Sequence, residues 1–340
     1  MNGSLMSAEM AEQPVVLANL LARRAPIVDE VAAIVPAGLA GITLVARGSS
    51  DNAALFGRYI LEIAARRPAG LAAPSIQTIA GASVDYTGYL AVAISQSGET
   101  PEIVTFLKRV RDQGARTLAI VNAPGSPLGE IADATIEVDA GSERAVPATK
   151  TFTATLLALA IAAEAAGAPP WTRDDLDAVP GAVAAVLDDP DPVERLAARL
   201  DGRDRLIVTA RGPLLVAALE TALKVRETCA ILAEGISGAD LRHGPIAAVG
   251  RGFPMLTFEP ARPQTEDSAG LRALLAERGA AVHTSGPSPD TDLPLPVGVP
   301  DALLPILASV RGQQLAAAVA RRRGLDADAP QGLTKVTMTR

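Results

Sequence analysis

The sequence is poor in the residues from which most reactive centres are built. Its 340 residues hold one cysteine, Cys229, and two histidines, His243 and His283. A lone cysteine excludes a disulfide framework and a cysteine-rich zinc site. Two histidines so far apart are a poor basis for a multi-histidine metal centre, so neither metal nor cofactor is expected. The 31 basic residues divide into 27 arginines and 4 lysines, Lys108, Lys150, Lys224 and Lys335. The formal net charge is −7, which speaks against nucleic-acid or membrane binding by bulk attraction. Long apolar runs are also missing. The longest, Phe152–Gly167, contains Glu164 and falls short of the roughly 20 residues a membrane span needs. The first nine residues lack the basic-then-apolar layout of a signal peptide. A soluble cytoplasmic protein is expected.

What is present is an α/β pattern, over a length that fits two domains. Ile42–Ala46 is a short apolar run, followed by the turn Arg47–Ser50 and a helical stretch from Asn52 to Ala65. Leu90–Ile94 is another such run, followed by Ser95–Thr100 and a helix to Gln113, and Thr117–Val121 reads as the next strand. Strands and helices alternating at this spacing predict a parallel sheet with helices on both faces. The second half repeats the first. Arg205–Ala210 reads as a strand, Arg211–Pro213 as a turn and Leu214–Leu232 as a helix. Ala46-Arg-Gly48 recurs as Ala210-Arg-Gly212, Ala53-Ala-Leu55 as Ala217-Ala-Leu219, and Gln113-Gly-Ala115 resembles Arg278-Gly-Ala280. Three matches in order, offset by 164 or 165 residues, predict an internal duplication. Gly167–Pro192 between the copies reads as a short helix plus linker.

Ser95-Gln-Ser-Gly-Glu-Thr-Pro-Glu102 follows a buried strand and opens a helix. Pro101 suits the first helical turn and Glu102 its dipole. Such a loop presents backbone N–H groups and the hydroxyls of Ser95, Ser97 and Thr100 at a helix N-terminus, a ready anion site sized for one phosphate monoester. It has neither a Walker lysine nor a GxGxxG pattern, so nucleotide binding is not indicated. On residues alone it also reads as an ordinary Ser/Gly turn with a threonine cap. Arg47-Gly-Ser-Ser50 is a similar turn after the preceding strand, where open α/β sheets bind ligands. In the second copy the corresponding position lies in Phe258–Ala261, without hydroxyls.

Several segments resemble the double sugar-isomerase (SIS) domain family. They are the Ser95–Thr100 loop, Val146-Pro-Ala-Thr-Lys-Thr-Phe152, Ala222-Leu-Lys-Val-Arg-Glu227 and Leu241-Arg-His-Gly-Pro245. The opening Met6–Pro14 and the closing Asp326–Thr337 are similar to the family's first helix and its C-terminal tail. The likeness is closest to the isomerase half of glucosamine-6-phosphate synthase and to the related glucosamine-6-phosphate deaminases. It implies two flavodoxin-like SIS domains, a phosphorylated sugar as ligand, and a homodimer whose active site takes a histidine from the neighbouring subunit. The division expected is a helix at 1–30, a first domain at 31–166 with the phosphosugar site, a linker at 167–195, a second domain at 196–325, and a tail at 326–340 closing the active site.

The resemblance also assigns roles. Isomerising a 2-amino sugar phosphate requires opening the ring, moving a proton between C1 and C2, and holding or releasing nitrogen. His243 matches the family's ring-opening histidine, a task that suits imidazole. Glu227 matches the base, and Lys335 matches the tail lysine that forms or assists an imine, which arginine cannot do. Lys224, one turn before Glu227, is read as its electrostatic tuner. Ser50, Ser95, Gln96, Ser97 and Thr100 match the phosphate binders, and Ser49, Val146 and Ala148 fall at sugar-contacting positions. Ala148 and Arg47 replace a serine and a cysteine of the synthase. Taken singly, Lys224 and Glu227 also fit a surface pair, His243 a turn residue and Lys335 a solvated tail. His283 and Cys229 read as structural. In the synthase a separate domain with an N-terminal cysteine draws ammonia from glutamine; here the second residue is Asn2 and the cysteine is mid-chain. Glucosamine-6-phosphate deamination is therefore expected. The alternatives are an aminotransferase-like phosphosugar isomerase lacking the glutaminase, a fructosamine-phosphate deglycase, or a non-catalytic phosphosugar sensor.

Overall fold

The computed structural model describes residues 3–261 and 265–335, with side chains of 265–268 excepted. The chain divides into two compact units. One comprises Val15–Glu143 and Lys150–Thr172; the other comprises residues 3–14, Arg144–Thr149 and Arg173–Lys335.

The first unit is built on β1 (Gly41–Val45), β2 (Ala69–Leu71), β3 (Tyr89–Ser95), β4 (Arg116–Val121) and β5 (Ala134–Glu137). All pair in parallel, in the order β2-β1-β3-β4-β5. Successive side chains point to opposite faces. Val45, Ala91, Ala93, Ala119 and Val121 pack against Ile103, Phe106 and Val110 of the helix Pro101–Asp112. The helices Ser49–Ala65 and Lys150–Ala166 pack on each other, and the former also packs on β1. A sheet covered on both faces has no solvated side, which is why β1 and β3 are nearly all apolar rather than alternating.

The second unit repeats this with β6 (Arg205–Ala210), β7 (Leu232–Ser237), β8 (Pro254–Phe258), β9 (Ala281–Gly286) and β10 (Leu293–Pro294). The order β10-β9-β8-β6-β7 is the first sheet's order read from the other edge, again all parallel. The duplication therefore extends to topology, and it reaches the backbone. Gly48 and Gly212 both take positive φ, 63° and 58°, and the helices after them both end on a left-handed residue, Arg66 at φ 53° and Ala230 at φ 51°.

Two expectations are corrected. The helix predicted to run to Leu232 is Leu215–Cys229, because Ala230 turns the chain and Leu232 already pairs with Arg205 in β7. The segment expected as a short helix plus linker forms the helices Arg173–Asp177, Val179–Leu187 and Asp191–Arg199, the last of these strongly amphipathic and burying Val193, Leu196 and Ala197. The two residues read as structural are buried. Cys229 lies beside the Ala316 carbonyl at 3.2 Å, and burial pushes its thiol up to about 11. His283 lies in β9, and burial lowers its pKa against the opposing pull of Asp292, 3.6 Å away. Among the described residues, no helix is long and apolar enough to cross a membrane.

The helix Leu215–Cys229 lies against the helix Leu304–Arg322. Gly312 makes their close approach possible: a Cβ there would stand 2.0 Å from Thr221 Oγ1. Gly312→Ala should therefore overpack this seam and cost about 1–3 kcal/mol. Thermal or urea unfolding of the purified variant measures this, and unchanged stability would refute the tight seam.

Candidate functional site

Candidate residues fall in both units, as one group in the first and two in the second, with His243 apart from these. In the first unit β1 and β3 are neighbours whose crossovers leave in opposite directions, so their C-terminal ends form a topological switch point. Ser49 and Ser50 open the helix Ser49–Ala65 after β1, and the Ser95–Thr100 loop runs from the last residue of β3 to its following helix.

Gly98 takes φ 64°, and its N–H is bonded to both the carbonyl and the hydroxyl of Ser95, each at 3.1 Å. Ser97 Oγ accepts from the Glu99 N–H at 3.3 Å. Ser95 Oγ also lies 3.3 Å from Thr100 Oγ1. Two of the three hydroxyls thus shape the loop from within rather than all three being presented outward. Thr100 precedes the helix, yet its side chain caps no backbone group. Among the described residues nothing accepts from the N–H groups of Ser97, Thr100 or Glu102. The neighbouring turn braces the loop from behind. Leu128 N–H donates to the Gly98 carbonyl at 3.0 Å, and Asn122 N–H to the Gln96 carbonyl at 3.0 Å. Asn122 also bonds Ala140 and Gly141 through its side chain. Sequence reasoning missed Asn122 and Ser126, since neither belongs to the hydroxyl loop they support.

In the second unit the helix Leu215–Cys229 carries Lys224 and Glu227. Lys224 Nζ is 2.6 Å from Glu227 Oε2 and 3.4 Å from Glu220 Oε1. Lys224 and Glu220 are each 1% exposed and Glu227 22%. The surface-pair reading is therefore corrected: one buried ammonium is held by two carboxylates, and only one carboxylate reaches solvent. Glu220 was missed, although its place four residues before Lys224 is the spacing of facing helical neighbours.

The Ala145–Val146 backbone meets Asp328 and Lys335 of the tail in a second cluster of this unit, with Ala148 on the same short segment. Lys335 Nζ donates to the Ala145 carbonyl at 2.8 Å, and Val146 N–H to the Asp328 carbonyl at 2.8 Å. Asp328 in turn accepts from the N–H groups of Leu5 and Met6 at 3.1 and 2.8 Å, capping the helix Ser4–Ala11. Glu9 on that helix accepts from the N–H groups of Arg144 and Ala145. The opening helix, the Val146 segment and the tail are thus one hydrogen-bonded knot. Residues 336–340 of the tail lie outside the described residues. His243 is exposed, at the end of the short helix Gly238–Arg242, with its N–H bonded to the Asp240 carbonyl.

The SIS domain profile matches residues 40–165, which is the first sheet with its hydroxyl turns and covering helices. The crystal structure of a candidate phosphosugar isomerase from Silicibacter pomeroyi DSS-3 is 30% identical, covering 96% of this chain and 100% of that one with a TM-score of 0.84. The chain belongs to the SIS domain family. Glutamine–fructose-6-phosphate aminotransferase (isomerizing) of Methanothermobacter thermautotrophicus is 35% identical over 303 residues, 86% of this chain and 51% of that protein. The chain thus spans about half the length of that curated relative. A glucosamine-6-phosphate deaminase from Thermotoga maritima, 23% identical, shares the fold with a TM-score of 0.81, covering 99% of this chain and 100% of that one.

Gly98 offers the sharpest test of this SIS loop. A side chain there is strained at φ 64°, by about 1–2 kcal/mol, and its Cβ would lie 2.2 Å from Ser126 Oγ. Gly98→Ala should abolish protection by inorganic phosphate in a thermal-shift titration where the parent protein shows it. Retained protection would remove this loop as the phosphate seat.

Proposed function

We propose that this SIS protein is a phosphosugar isomerase that deaminates glucosamine-6-phosphate, giving D-fructose-6-phosphate and ammonia with uptake of one water. The observation that carries the reading is Glu227, a carboxylate fixed at 2.6 Å by a buried ammonium yet 22% exposed. A proton carrier needs this combination of a held position and access to a ligand.

In this reading the Ser95–Thr100 loop, with Ser50, holds the phosphate, and Ser49, Val146 and Ala148 meet the sugar. His243 opens the ring. Glu227 takes the C2 proton of the 2-amino aldehyde and returns it at C1, leaving an imine at C2. Water adds to that imine and ammonia leaves. Lys335 assists through its primary amine, and Lys224 holds Glu227 in place. The exposed position of His243 is compatible with its service to a second copy of the chain in a homodimer.

With little free ammonia, mass action draws hydrolysis of the imine toward release, and this favours the deamination direction. The Thermotoga maritima deaminase shares the fold, which is compatible with this direction.

Purified protein should release ammonia from glucosamine-6-phosphate, measured by a coupled dehydrogenase assay. Release only from fructosamine phosphates, or turnover only of other sugar phosphates, would overturn the substrate assignment. Glu227→Gln should lower kcat by about 10²–10⁴-fold while substrate binding by calorimetry survives. A binding-only protein would show no turnover in either form. Lys335→Arg keeps the charge but loses the removable proton, and full activity in it would argue against the amine role.

A further inference from the structure

The phosphosugar reading leaves a charge to be balanced. A phosphate monoester carries about −1.5 to −2 at neutral pH, and the Ser95–Thr100 loop offers it no cation. Carboxylates surround that loop in the sequence and the fold. Glu99 lies on it, Glu102 begins the next helix, and Asp51 lies in the first turn of the helix after β1.

Arg47 stands among these acids. It precedes the Gly48–Ser50 turn, and its Nη2 lies 2.8 Å from Glu102 Oε2, so it joins one hydroxyl turn to the helix that follows the other. Its Nη1 donates to the Ala46 carbonyl at 3.0 Å. These contacts use two of the five N–H donors of the guanidinium. Arg47 is 43% exposed while Glu102 is 10% exposed, so the cation is the accessible member of the pair. Its charge also reaches Asp51, drawing that carboxyl down against the desolvation that raises it.

We propose that Arg47 is a further phosphate-binding residue, paired with Glu102 while the site is empty and transferred to the phosphate when the sugar binds. The proposal rests on the phosphosugar reading above. A planar guanidinium with spare donors matches phosphate oxygens two at a time. Glu102 then acts as the competitor that holds the arginine beside the loop and limits affinity. The residue that departs from the cysteine of the synthase would thus supply the positive charge that the hydroxyl loop lacks.

Calorimetry with inorganic phosphate, and KM for glucosamine-6-phosphate, separate the possibilities. Arg47→Ala should weaken phosphate binding and raise KM by about 10- to 100-fold, with kcat changed far less. Glu102→Gln should shift phosphate affinity the opposite way, tightening it several-fold, and this gain should vanish when Arg47→Ala is added. If the parent binds phosphate and Arg47→Ala binds it equally well, or if Glu102→Gln weakens binding as Arg47→Ala does, the pair is a structural latch and the proposal falls. If the parent does not bind phosphate and its turnover is not inhibited by it, the phosphosugar reading itself falls. Should Arg47→Ala fail to fold, Glu102→Gln and Arg47→Lys give the same decision.

Discussion

Parallel strands cannot be joined by tight turns. Each must be followed by a crossover that returns over a face of the sheet, and a helix is the usual solution. This constraint gathers every strand C-terminus and the following helix N-terminus along one rim. In the first unit it puts the turn after β1 beside the turn after β3, because those strands are hydrogen-bonded neighbours from Gly41↔Tyr89 to Val45↔Ala93. Hydroxyls and free N–H groups then share that rim without any long loop to hold them. The glycines there take the positive φ that such sharp exits demand, and the Ser126 side chain stands against Gly98 while the Asn122 N–H holds the Gln96 carbonyl.

Burial of charge is the second organising cost. Removing the partner of a buried ion typically destabilises a protein by about 3–5 kcal/mol, so buried ions persist only when well matched. Arg311, 2% exposed, illustrates the arginine solution. Its fork donates to the carbonyls of Val186, Asp189 and Pro294 and pairs with Asp189, tying the helix Leu304–Arg322 to two other segments. Lys224 illustrates the lysine solution: a compact ammonium shared by Glu220 and Glu227 along one helix. The guanidinium makes many fixed bonds and therefore suits a strut. The ammonium concentrates its charge on two carboxylates and suits a position beside a reacting group.

These distinctions bear on what the sequence makes legible. The strands were readable because both sheet faces are covered, so that Leu90–Ile94 is an unbroken apolar run and Leu206–Ala210 is interrupted only by Thr209. The repeat was readable because the turn glycines recur at one spacing. The end of the helix at Cys229 was not, since a left-handed alanine carries no sequence mark. Pairing of Lys224 with Glu227 followed from helical spacing, but the burial of Lys224 did not, because its helix packs against Leu304–Arg322, remote in the chain. Likewise Glu9 and Asp328 lie within the segments that carry the family resemblance, yet their function as caps and backbone acceptors arises only when three distant segments meet.

Duplication also explains why the two units differ most where they would otherwise compete. The position 164 residues after Ser95 is Glu259, directly after β8. Burial raises the pKa of its carboxylate, and Arg272 counters this with contacts of 2.7 and 2.9 Å. A carboxylate at the rim position that the first copy gives to a hydroxyl opposes an anionic ligand there. The second copy instead has a carboxylate–lysine cluster on the helix after its first strand, where the first copy has Phe56, Ile60 and Ile63 at the positions 164 residues earlier. Identical topology thus carries opposite electrostatics. One rim carries hydroxyls and N–H groups without acceptors among the described residues, and the other copy carries a lysine held between two carboxylates on its helix.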